Sequence, residues 1–453
     1  MLYQKEITEI RKYDFLVCGG GMTGFACAIA AARKGVKTAI IEKTGNLGGV
    51  AVSCGVNHLL GGLKYRNETQ KCEWFVGGIF KELADKLLSD DAAIDPDTID
   101  RKWNPHGWLE SLADGIIFDI EKMKRILDEM CCEEKVDVYY FTDIVDVIVE
   151  EESLKCLVAH NKSGLLSFEA DYFADATGDA DIAAWSGCRT VLGRETDNLT
   201  APASLEMHLD HVDTSELSDY IKKNNEPRFR KLILQLRERG IWNFPYEIFI
   251  CVQGIREDTY MINTVRQTGI NSIDGQSLSN AMSDGRKECF ELFQILKEHF
   301  PGFANARLKF IAPMIGIRES RRIVGDYVLT VDDIRSGKFM SDSIALSAYG
   351  WDLPDPVKPS YQPMHEKKIS KPEFIQIPYR SLLPDKIRNL IVAGRCISVE
   401  RDVLGPVRVM APCIAMGQAA GTAAYLAKDS SVSFKNIDVL RLQQILENDA
   451  CRY

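Results

Sequence analysis

The sequence predicts an α/β protein in which a unit of alternating strands and helices is interrupted by a separate α+β unit. Three observations support this fold class. A strand, a glycine-rich loop, a helix and a second strand are predicted in order over residues 14–42, and an apolar strand followed by an Ala-rich helix returns over residues 389–427. Between them, mixed strand and helix patterns carry no comparable loop. The length of 453 residues allows two to three domains.

The opening stretch, residues 14–42, reads DFLVCGGGMTGFACAIAAARKGVKTAIIE and predicts each element in turn. Residues 15–18 form a short apolar run that suits a buried strand. Residues 25–33 are Ala-rich without proline or internal glycine, which predicts a helix, and Gly35 is expected to end it. Residues 36–41 predict the second strand, so the stretch has the strand–helix–strand order of a parallel α/β unit.

The loop between the first strand and the helix has the spacing G-x-G-x-x-G at Gly19, Gly21 and Gly24. The first glycine allows a sharp turn, the second lets backbone approach a pyrophosphate, and the third lets the helix pack on the strand. The helix N-terminus then offers free N–H groups and a positive dipole end to phosphates. Glu42 follows the second strand, where a carboxylate can accept hydrogen bonds from ribose hydroxyls. These features in register favour a dinucleotide site over a glycine-rich turn in some other α/β protein.

Two further segments are expected to meet the same ligand. Residues 43–62 are unusually rich in glycine, so the chain there must bend tightly or approach something closely. A later apolar strand ends in the small residues Ala176, Thr177 and Gly178. Residues 94–115 carry two prolines and predict a surface segment instead.

The last third of the chain again predicts an apolar strand followed by a helix of small residues, as in residues 14–42. Residues 389–393 (NLIVA) predict a buried strand, which Gly394 and Arg395 follow. Residues 409–427 are apolar enough to resemble a membrane span, but a proline, two glycines, a glutamine and many small residues favour a helix buried between layers. Pro412 is expected at the first position of that helix.

The middle third differs in composition and contains no glycine fingerprint. Strand patterns at residues 203–212 and 247–264 flank a charged helix at 219–239, and a long helical pattern occupies 276–299. We infer an α+β unit that is inserted into the first domain and covers its ligand. The expected domains are residues 1–190, residues 191–384, and a return to the first domain over residues 385–453.

Composition and charge exclude several classes of protein. The chain is 45% hydrophobic and 26% charged, which is ordinary for a soluble globular protein. Its formal net charge of -10 argues against nucleic acid or an anionic membrane as a partner. The thirteen cysteines include no C-x-x-C pair, so a zinc site or redox dithiol of that kind has no support and no metal is predicted. A reducing, cytoplasmic location is expected, since residues 1–13 contain no apolar signal region.

These segments together resemble the FAD-dependent oxidoreductases that are distantly related to the flavoprotein subunits of fumarate reductase and succinate dehydrogenase. The resemblance spans nearly the whole chain. The fingerprint with Glu42 and residues 47–49 looks like the family's FAD entry site, and residues 174–181 (ADATGDAD) resemble its A-T-G-D segment. Residues 317–330 (IRESRRIVGDYVLT) are similar to the R-E-S-R-R stretch of one subgroup of unassigned activity. Residues 377–384 and 389–427 resemble the closing segment of that subgroup, and 389–427 is the most specific match.

The resemblance implies a Rossmann-like, glutathione-reductase-like FAD domain built from both ends of the chain. The pyrophosphate would lie on the fingerprint loop, and Gly394 and Arg395 would approach the phosphate and ribityl side. The isoalloxazine would lie against the start of the last helix, near Met410 and Ala411, whose positive end stabilises a reduced flavin. Ile144 is a candidate for adenine packing. The further expected FAD contacts are Met22, Thr23, Lys43, Gly48, Gly49, Ala176, Thr177 and Gly178.

Two absences in the sequence narrow the expected chemistry. The chain carries a single dinucleotide fingerprint, which disfavours the reductases that bind NAD(P)H at a second one. Residues 50–55 (VAVSCG) contain no counterpart of the histidine that holds flavin covalently in some fumarate-reductase relatives. We therefore predict FAD that is bound non-covalently.

Three residues are the candidates for catalysis: Arg318, Arg408 and His58. Arg318 would bind a substrate carboxylate in bidentate fashion, or the R-E-S-R-R arginines would pair with Glu319 and Asp326 and tie the middle unit to the FAD domain. Arg408 precedes the last helix, where the flavin edge is expected. His58 would act as an acid or base, or would be a satisfied structural histidine.

The favoured function is an enzyme that transfers a hydride between FAD and a small organic molecule. The alternative is a subunit whose FAD relays electrons inside a larger redox complex, although the iron–sulfur cysteines common in such subunits are absent. A non-catalytic flavin-binding protein or an FAD-dependent RNA-modifying protein is least favoured, because the chain is acidic and its sequence shows no basic patch. The sequence leaves open the substrate, the direction of electron flow, an electron-transfer partner and a homo-oligomer.

Overall fold

Strands and helices follow one another along the whole computed structural model, which describes residues 5–7, 9–99 and 114–453. Most of the surface segment predicted at 94–115 therefore lies outside the described residues. The strands, numbered in chain order, are β1 (Glu9–Cys18), β2 (Thr38–Ile41), β3 (His58–Leu60), β4 (Leu63–Arg66), β5 (Lys71–Trp74), β6 (Gly115–Ile117), β7 (Asp137–Tyr139), β8 (Asp143–Glu150), β9 (Ser153–Asn161), β10 (Gly164–Asp175), β11 (Thr190–Leu192), β12 (Ala203–Ser204), β13 (Met207–Asp210), β14 (Cys251–Gln253), β15 (Tyr260–Ile262), β16 (Arg266–Gln267), β17 (Arg307–Ile311), β18 (Arg321–Ile323), β19 (Ser343–Ser347), β20 (Ile375–Pro378) and β21 (Leu390–Val392). The α-helices are Met22–Arg33, Gly78–Ser89, Ile120–Glu133, Asp181–Trp185, Thr214–Asn224, Arg230–Glu238, Gly275–His299, Val331–Arg335, Pro363–Glu366, Leu404–Val407, Met410–Ser430 and Val439–Asn448.

The largest sheet of the described residues holds strands from both ends of the chain. Its parallel part has the order β7-β2-β1-β10, and β21 pairs in parallel with the last residues of β10. The first half of β10 pairs instead with β9, in an antiparallel extension that β8 completes. Because parallel strands point the same way, the segments after β1, β2, β10 and β21 emerge at one edge, where ligands of α/β sheets bind.

Two helices from opposite ends of the chain pack directly together on this sheet. A Cβ added to Gly417 would lie 2.2 Å from the carbonyl oxygen of Thr23, and one added to Gly421 would lie 2.0 Å from that of Cys27. The small residues of the closing helix, Met410–Ser430, thus allow close backbone contact, as expected for a buried helix. The helix begins two residues before Pro412, so the prediction that Pro412 is its first residue was wrong. In the described part of the chain, no helix combines the length and apolarity that crossing a bilayer requires.

The middle of the chain has an apolar core of its own. The antiparallel sheet β14-β15-β13-β17 packs with helices on Trp242, Tyr246, Phe249 and other large apolar residues. The charged helix predicted at 219–239 is in fact two helices. The first ends at Asn224, where the C-cap residue Asn225 adopts a left-handed conformation with φ 50°, and the second begins after Phe229, which has φ 56°. The long helix begins at Gly275, where the Asp274 side chain accepts a hydrogen bond from Ser277 N.

Candidate active site

A cavity of about 1650 Å³ opens at the edge where the parallel strands end, and it extends to the middle unit. Most of the residues predicted to form the site line it, although Gly24, Gly394 and Ala411 do not. The predicted residues that line it are Gly19, Gly21, Met22, Thr23, Glu42, Lys43, Gly48, Gly49, His58, Ile144, Ala176, Thr177, Gly178, Arg318, Arg395, Arg408 and Met410. Their contacts with a cofactor remain predictions.

The first and third fingerprint glycines fit their expected structural roles. Gly19 has φ +97°, and a Cβ there would lie 2.8 Å from the carbonyl oxygen of Ala176. A Cβ on Gly24 would lie 1.9 Å from the carbonyl oxygen of Gly19, so Gly24 allows the helix to pack on the strand. Gly24 therefore acts through packing and not as part of the cavity wall.

The second fingerprint glycine, Gly21, faces the cavity. Its backbone is extended (φ -64°, ψ 178°), and an added Cβ would meet no described protein atom within 4 Å. Gly48 N donates to Gly20 O over 2.8 Å, and a Cβ on Gly49 would lie 3.0 Å from Gly21 Cα. The two glycine-rich loops thus form a cradle that any side chain would fill, which fits the close approach of a pyrophosphate.

Glu42 is held in place by backbone N–H groups. Its carboxylate accepts hydrogen bonds from Gly20 N and from Thr44 N, both over 2.7 Å, and the residue is buried. A carboxylate has about four acceptor sites. Those beyond the two used here suit the ribose hydroxyls of the predicted cofactor.

The A-T-G-D loop is organised by Asp175, the last residue of β10. One carboxylate oxygen accepts hydrogen bonds from Thr177 N (3.1 Å) and Thr177 Oγ1 (2.6 Å), and the other accepts from Ala183 N (3.0 Å). Burial raises the pKa of Asp175, while these hydrogen bonds oppose the rise. The loop turns at Gly178, whose φ is +79°. Asp175 therefore fixes the backbone that brings Ala176 and Gly178 to the cavity.

Arg395 ties three segments together at the cavity wall. Its guanidinium donates to Gly178 O over 2.8 Å and to Asp179 Oδ1 over 2.7 Å, and it also bonds the carbonyl oxygen of Ile317. Gly394 lies beneath it with φ +91°, and a Cβ there would lie 2.6 Å from Thr23 Oγ1. The Arg395 guanidinium is thus hydrogen-bonded to protein groups. The absence of a side chain at Gly394 allows this segment to pack closely against the first helix.

The N-terminus of the closing helix reaches the cavity through Met410 and Cys413. The N-cap residue, Val409, makes no side-chain cap hydrogen bond, so the first-turn N–H groups and the positive end of the helix dipole are available at this end. Ala411 points away and packs under the second glycine-rich segment, where a Cβ on Gly62 would lie 2.8 Å from the Ala411 Cβ. The flavin contact predicted for Ala411 stays a prediction.

The cavity is also lined by a group that we call the arginine cluster: Arg228, Arg266, Arg318 and Arg408. Arg408 Nη2 donates to Asp352 O over 2.8 Å and lies 3.4 Å from Asp352 Oδ2. Arg318 donates to Pro202 O over 2.8 Å and to Asn263 Oδ1 over 3.1 Å. Within the described residues, the Nε atoms of Arg266 and Arg408 have no hydrogen-bond partner.

The four guanidinium groups of the arginine cluster carry more charge than Asp352, the acid that pairs with Arg408. Burial alone would raise the pKa of Asp352, but the guanidinium groups of the cluster outweigh it and lower that pKa. Burial and the charge of Arg318 lower the pKa of Arg266 to about 9, and burial and Arg408 lower the pKa of Arg318. The cluster therefore carries excess positive charge, which a bound anion would offset.

The arginines of the R-E-S-R-R stretch differ in their surroundings: one lines the cavity and the other two form ion pairs. Arg318 lines the cavity, whereas Arg321 pairs with Asp181 and Arg322 lies 3.2 Å from Glu319. Asp326 pairs with Lys435, so the expected pairing of the stretch with Asp326 was wrong. Glu319 also pairs with Arg401 over 2.8 Å, so the stretch supplies one cavity residue and takes part in three structural ion pairs.

His58 is buried on β3 and lines the cavity. Its neighbour Cys54 donates to Ile315 O over 3.5 Å, and burial raises the pKa of Cys54 to about 12, so this thiol stays protonated. His208 stacks on Phe310 with ring centroids 4.4 Å apart, and burial lowers the pKa of His208 to about 4. Among the described residues there is no group of three side chains placed to hold a metal ion.

Sequence reasoning missed Glu206, Arg228, Arg266 and Asp352 as cavity residues. The segment 203–210 (ASLEMHLD) alternates apolar and polar residues, and this signal would have placed Glu206 on the polar face of a strand. Arg228, Arg266 and Asp352 belong to no local motif. They lie close together only because the tertiary fold brings distant segments of the chain to one cavity.

A family model matches nearly the whole chain. The model described as FAD dependent oxidoreductase spans residues 14–446. Dihydrolipoyl dehydrogenase from Trypanosoma brucei brucei is 51% identical over 43 residues, which are 10% of this chain and 9% of that protein. Mitochondrial dihydrolipoyl dehydrogenase from Schizosaccharomyces pombe is 41% identical over 54 residues, 12% of this chain and 11% of that protein. The match thus covers about a tenth of the length of these curated relatives.

Solved structures resemble the chain at low identity. A geranylgeranyl bacteriochlorophyll reductase-like protein from Thermoplasma acidophilum is 12% identical, with a TM-score of 0.47 over 97% of this chain and 84% of that chain. The p-nitrophenol 4-monooxygenase of Pseudomonas putida DLL-E4 is 10% identical, with a TM-score of 0.47 over 96% of this chain and 83% of that chain. Likeness at this level carries no conclusion about activity. The family match over residues 14–446 does identify the chain: it belongs to the FAD-dependent oxidoreductase family and is an enzyme that uses FAD.

Proposed function

We propose that this enzyme transfers a hydride between non-covalently bound FAD and a small organic anion held beside the arginine cluster. The observation that supports it is a single cavity joining the glycine cradle to the arginine cluster. His58 and the N-terminus of the closing helix line the same cavity. A cofactor on the cradle and an anion on the arginines would therefore share one enclosed space.

The way the chain is divided between the two units supports an FAD-binding unit that is built from both chain ends and interrupted by an inserted unit. The strand β21 and the closing helix join the sheet and helix of the opening residues. Residues 191–384 would form the inserted α+β unit, because they contain a separate apolar core and supply three arginines of the cluster. Substrate would then bind between the two units, a common place for small-molecule sites.

The chemistry divides between the cofactor and the chain. Bound FAD supplies the site that accepts or donates a hydride. Arg318 and Arg408 orient the anion, since guanidinium groups form paired, charge-assisted hydrogen bonds with carboxylates. The free N–H groups of the closing helix stabilise negative charge at the cofactor end. Burial of the site away from water strengthens each of these electrostatic interactions.

Arg318→Ala and Arg408→Ala should each lower kcat/KM for the best substrate by roughly 10- to 100-fold, because each removes a charge-assisted hydrogen bond of about 1.5–3 kcal/mol. Arg318→Lys should recover part of the loss, since a point charge replaces a planar fork. Arg189→Ala is the control, because this residue pairs with Asp385 and its side chain is 66% exposed. Unchanged turnover in both cluster variants, with folding verified by thermal melts, would refute the site assignment.

The electron-relay alternative is separated from the enzyme by the behaviour of the protein alone. Anaerobic protein is mixed with carboxylates, sugars and amines, and the flavin absorbance is followed for reduction and then for reoxidation. We expect a small organic anion to exchange electrons with the flavin without any partner protein. If only electron-transfer proteins or dyes do so, the relay is the better account.

Acid precipitation should release the flavin into the supernatant and leave a colourless pellet. The physical reason is that residues 50–55 supply no histidine for a covalent bond, and the cradle holds the cofactor through hydrogen bonds and packing. Absorbance of pellet and supernatant measures the distribution. A pellet that stays yellow after repeated washing would show that the flavin is covalently attached.

A further inference from the structure

Glu206 is a buried carboxyl group that lines the cavity beside the arginine cluster. The strand segment around it alternates: Leu205 and Met207 belong to the apolar core of the middle unit, while Ser204 and Glu206 face the cavity. The backbone of Glu206 is fixed, because its carbonyl oxygen accepts a hydrogen bond from Ala312 N over 2.9 Å. The alternation and the fixed backbone therefore place the Glu206 carboxyl group on the side of the segment that faces the cavity.

The carboxyl lacks the partners that a structural acid would have. Glu206 is only 1% exposed, and its Oε2 atom has no hydrogen-bond partner among the described residues. Glu319, in contrast, is equally buried and bonds two arginines and a backbone N–H group. A buried polar atom without a partner is costly, so such an atom beside a cavity indicates a ligand.

The titratable groups that face Glu206 come from four segments: Arg266, Arg318, Cys54 and Cys289. Burial raises the pKa of Glu206 to about 8, although the two arginines oppose the rise. Burial raises the pKa values of both cysteines to about 12, so these thiols are neutral. Near neutral pH, Glu206 thus holds a proton that it can release or take up, as a general acid or base requires.

We propose that Glu206 is a catalytic residue that exchanges a proton with the substrate as the hydride moves. The assignment rests on the proposed function of the cavity. In the oxidation direction, a C–H bond of the substrate breaks and its hydride leaves with both electrons to the flavin. The adjacent O–H or N–H bond also breaks, its electron pair forms the C=O or C=N bond, and its proton goes to the Glu206 carboxylate. In the reverse direction the Glu206 carboxyl returns that proton.

The test compares Glu206→Gln with Glu288→Gln in the flavin-loaded protein. Gln has nearly the same shape and cannot exchange the proton, so the rate of flavin reduction by the best anion should fall about 10²- to 10⁴-fold. The wild-type rate should rise with pH through an inflection near pH 8 and level off only at higher pH, and this inflection should disappear in E206Q. Glu288 is a partly buried acid outside the cavity whose pKa burial also raises, so E288Q should keep both rate and inflection.

Further measurements keep the outcomes distinct. Infrared difference spectra should show a protonated-carboxyl band that titrates near pH 8 in wild type and is missing in E206Q, with or without substrate. Thermal melts and flavin content should match wild type, and Glu206→Asp should retain the pH inflection at a lower rate. A folded, flavin-loaded E206Q that keeps both the rate and the inflection would overturn the assignment. If no anion reduces the wild-type flavin, the proposed function fails instead, and the assignment fails with it.

Discussion

Replacing Gly21 with valine should weaken FAD binding by roughly 100-fold or more and leave the fold intact. The backbone of Gly21 is extended, a conformation that valine adopts without strain, and an added Cβ meets no described protein atom within 4 Å. The added groups would project into the cradle between the two glycine-rich loops. Phosphate hydrogen bonds to backbone N–H groups contribute about 1.5–3 kcal/mol each, so losing two of them weakens binding by roughly 100-fold or more.

Flavin content per protein, FAD titration by fluorescence and the melting temperature of the apoprotein measure this effect. Gly275→Val is a matched control, because a Cβ there also meets open space and the residue does not line the cavity. Gly24→Ala provides the opposite comparison, since its Cβ would lie 1.9 Å from Gly19 O and should lower stability itself. Wild-type flavin content in a folded G21V protein would show that the pyrophosphate does not lie on this loop.

The glycine-rich side of the cavity could be predicted because its signals are local. Gly19, Gly21 and Gly24 lie within six residues of each other, and Glu42 ends the next strand. Such spacing fixes a turn, a helix start and a strand end together. The A-T-G-D loop and the closing helix are likewise contiguous segments that end or begin at the same sheet edge. Local pattern and parallel-sheet geometry are sufficient to bring them together.

The substrate side could not be predicted in the same way. Arg228, Arg266 and Asp352 come from three distant segments of the chain, and each is an ordinary charged residue in its local sequence. Arg318, by contrast, was found through the R-E-S-R-R resemblance, although the sequence could not separate it from Arg321 and Arg322. Which arginine faces a cavity depends on the packing of the middle unit over the sheet. That packing is decided by long-range burial and not by spacing.

Replacing Glu319 with alanine should destabilise the protein by about 3–5 kcal/mol, because it leaves buried positive charge without its partner. Glu319 is fully buried, and its carboxylate lies 3.2 Å from Arg322 Nη1 and 2.8 Å from Arg401 Nη2. It also accepts a hydrogen bond from Ala201 N over 2.7 Å. The residue thus joins three segments, and its removal takes away the carboxylate that pairs with Arg322 and leaves Arg401 with Asp402, 3.7 Å away. Urea unfolding monitored by fluorescence gives the free energy of unfolding.

The expected loss in the free energy of unfolding depends on the burial of the ion pair and not on the number of ion pairs. An exposed ion pair provides the comparison that tests this. Glu129 pairs with Arg125 one turn away on a helix, and both side chains are about half exposed. Glu129→Ala should therefore change the free energy of unfolding by only about 0.5 kcal/mol or less. If the two variants lost similar stability, Glu319 would be no more than another solvated acid, and the buried network that orients the R-E-S-R-R stretch would not hold Arg318 at the cavity.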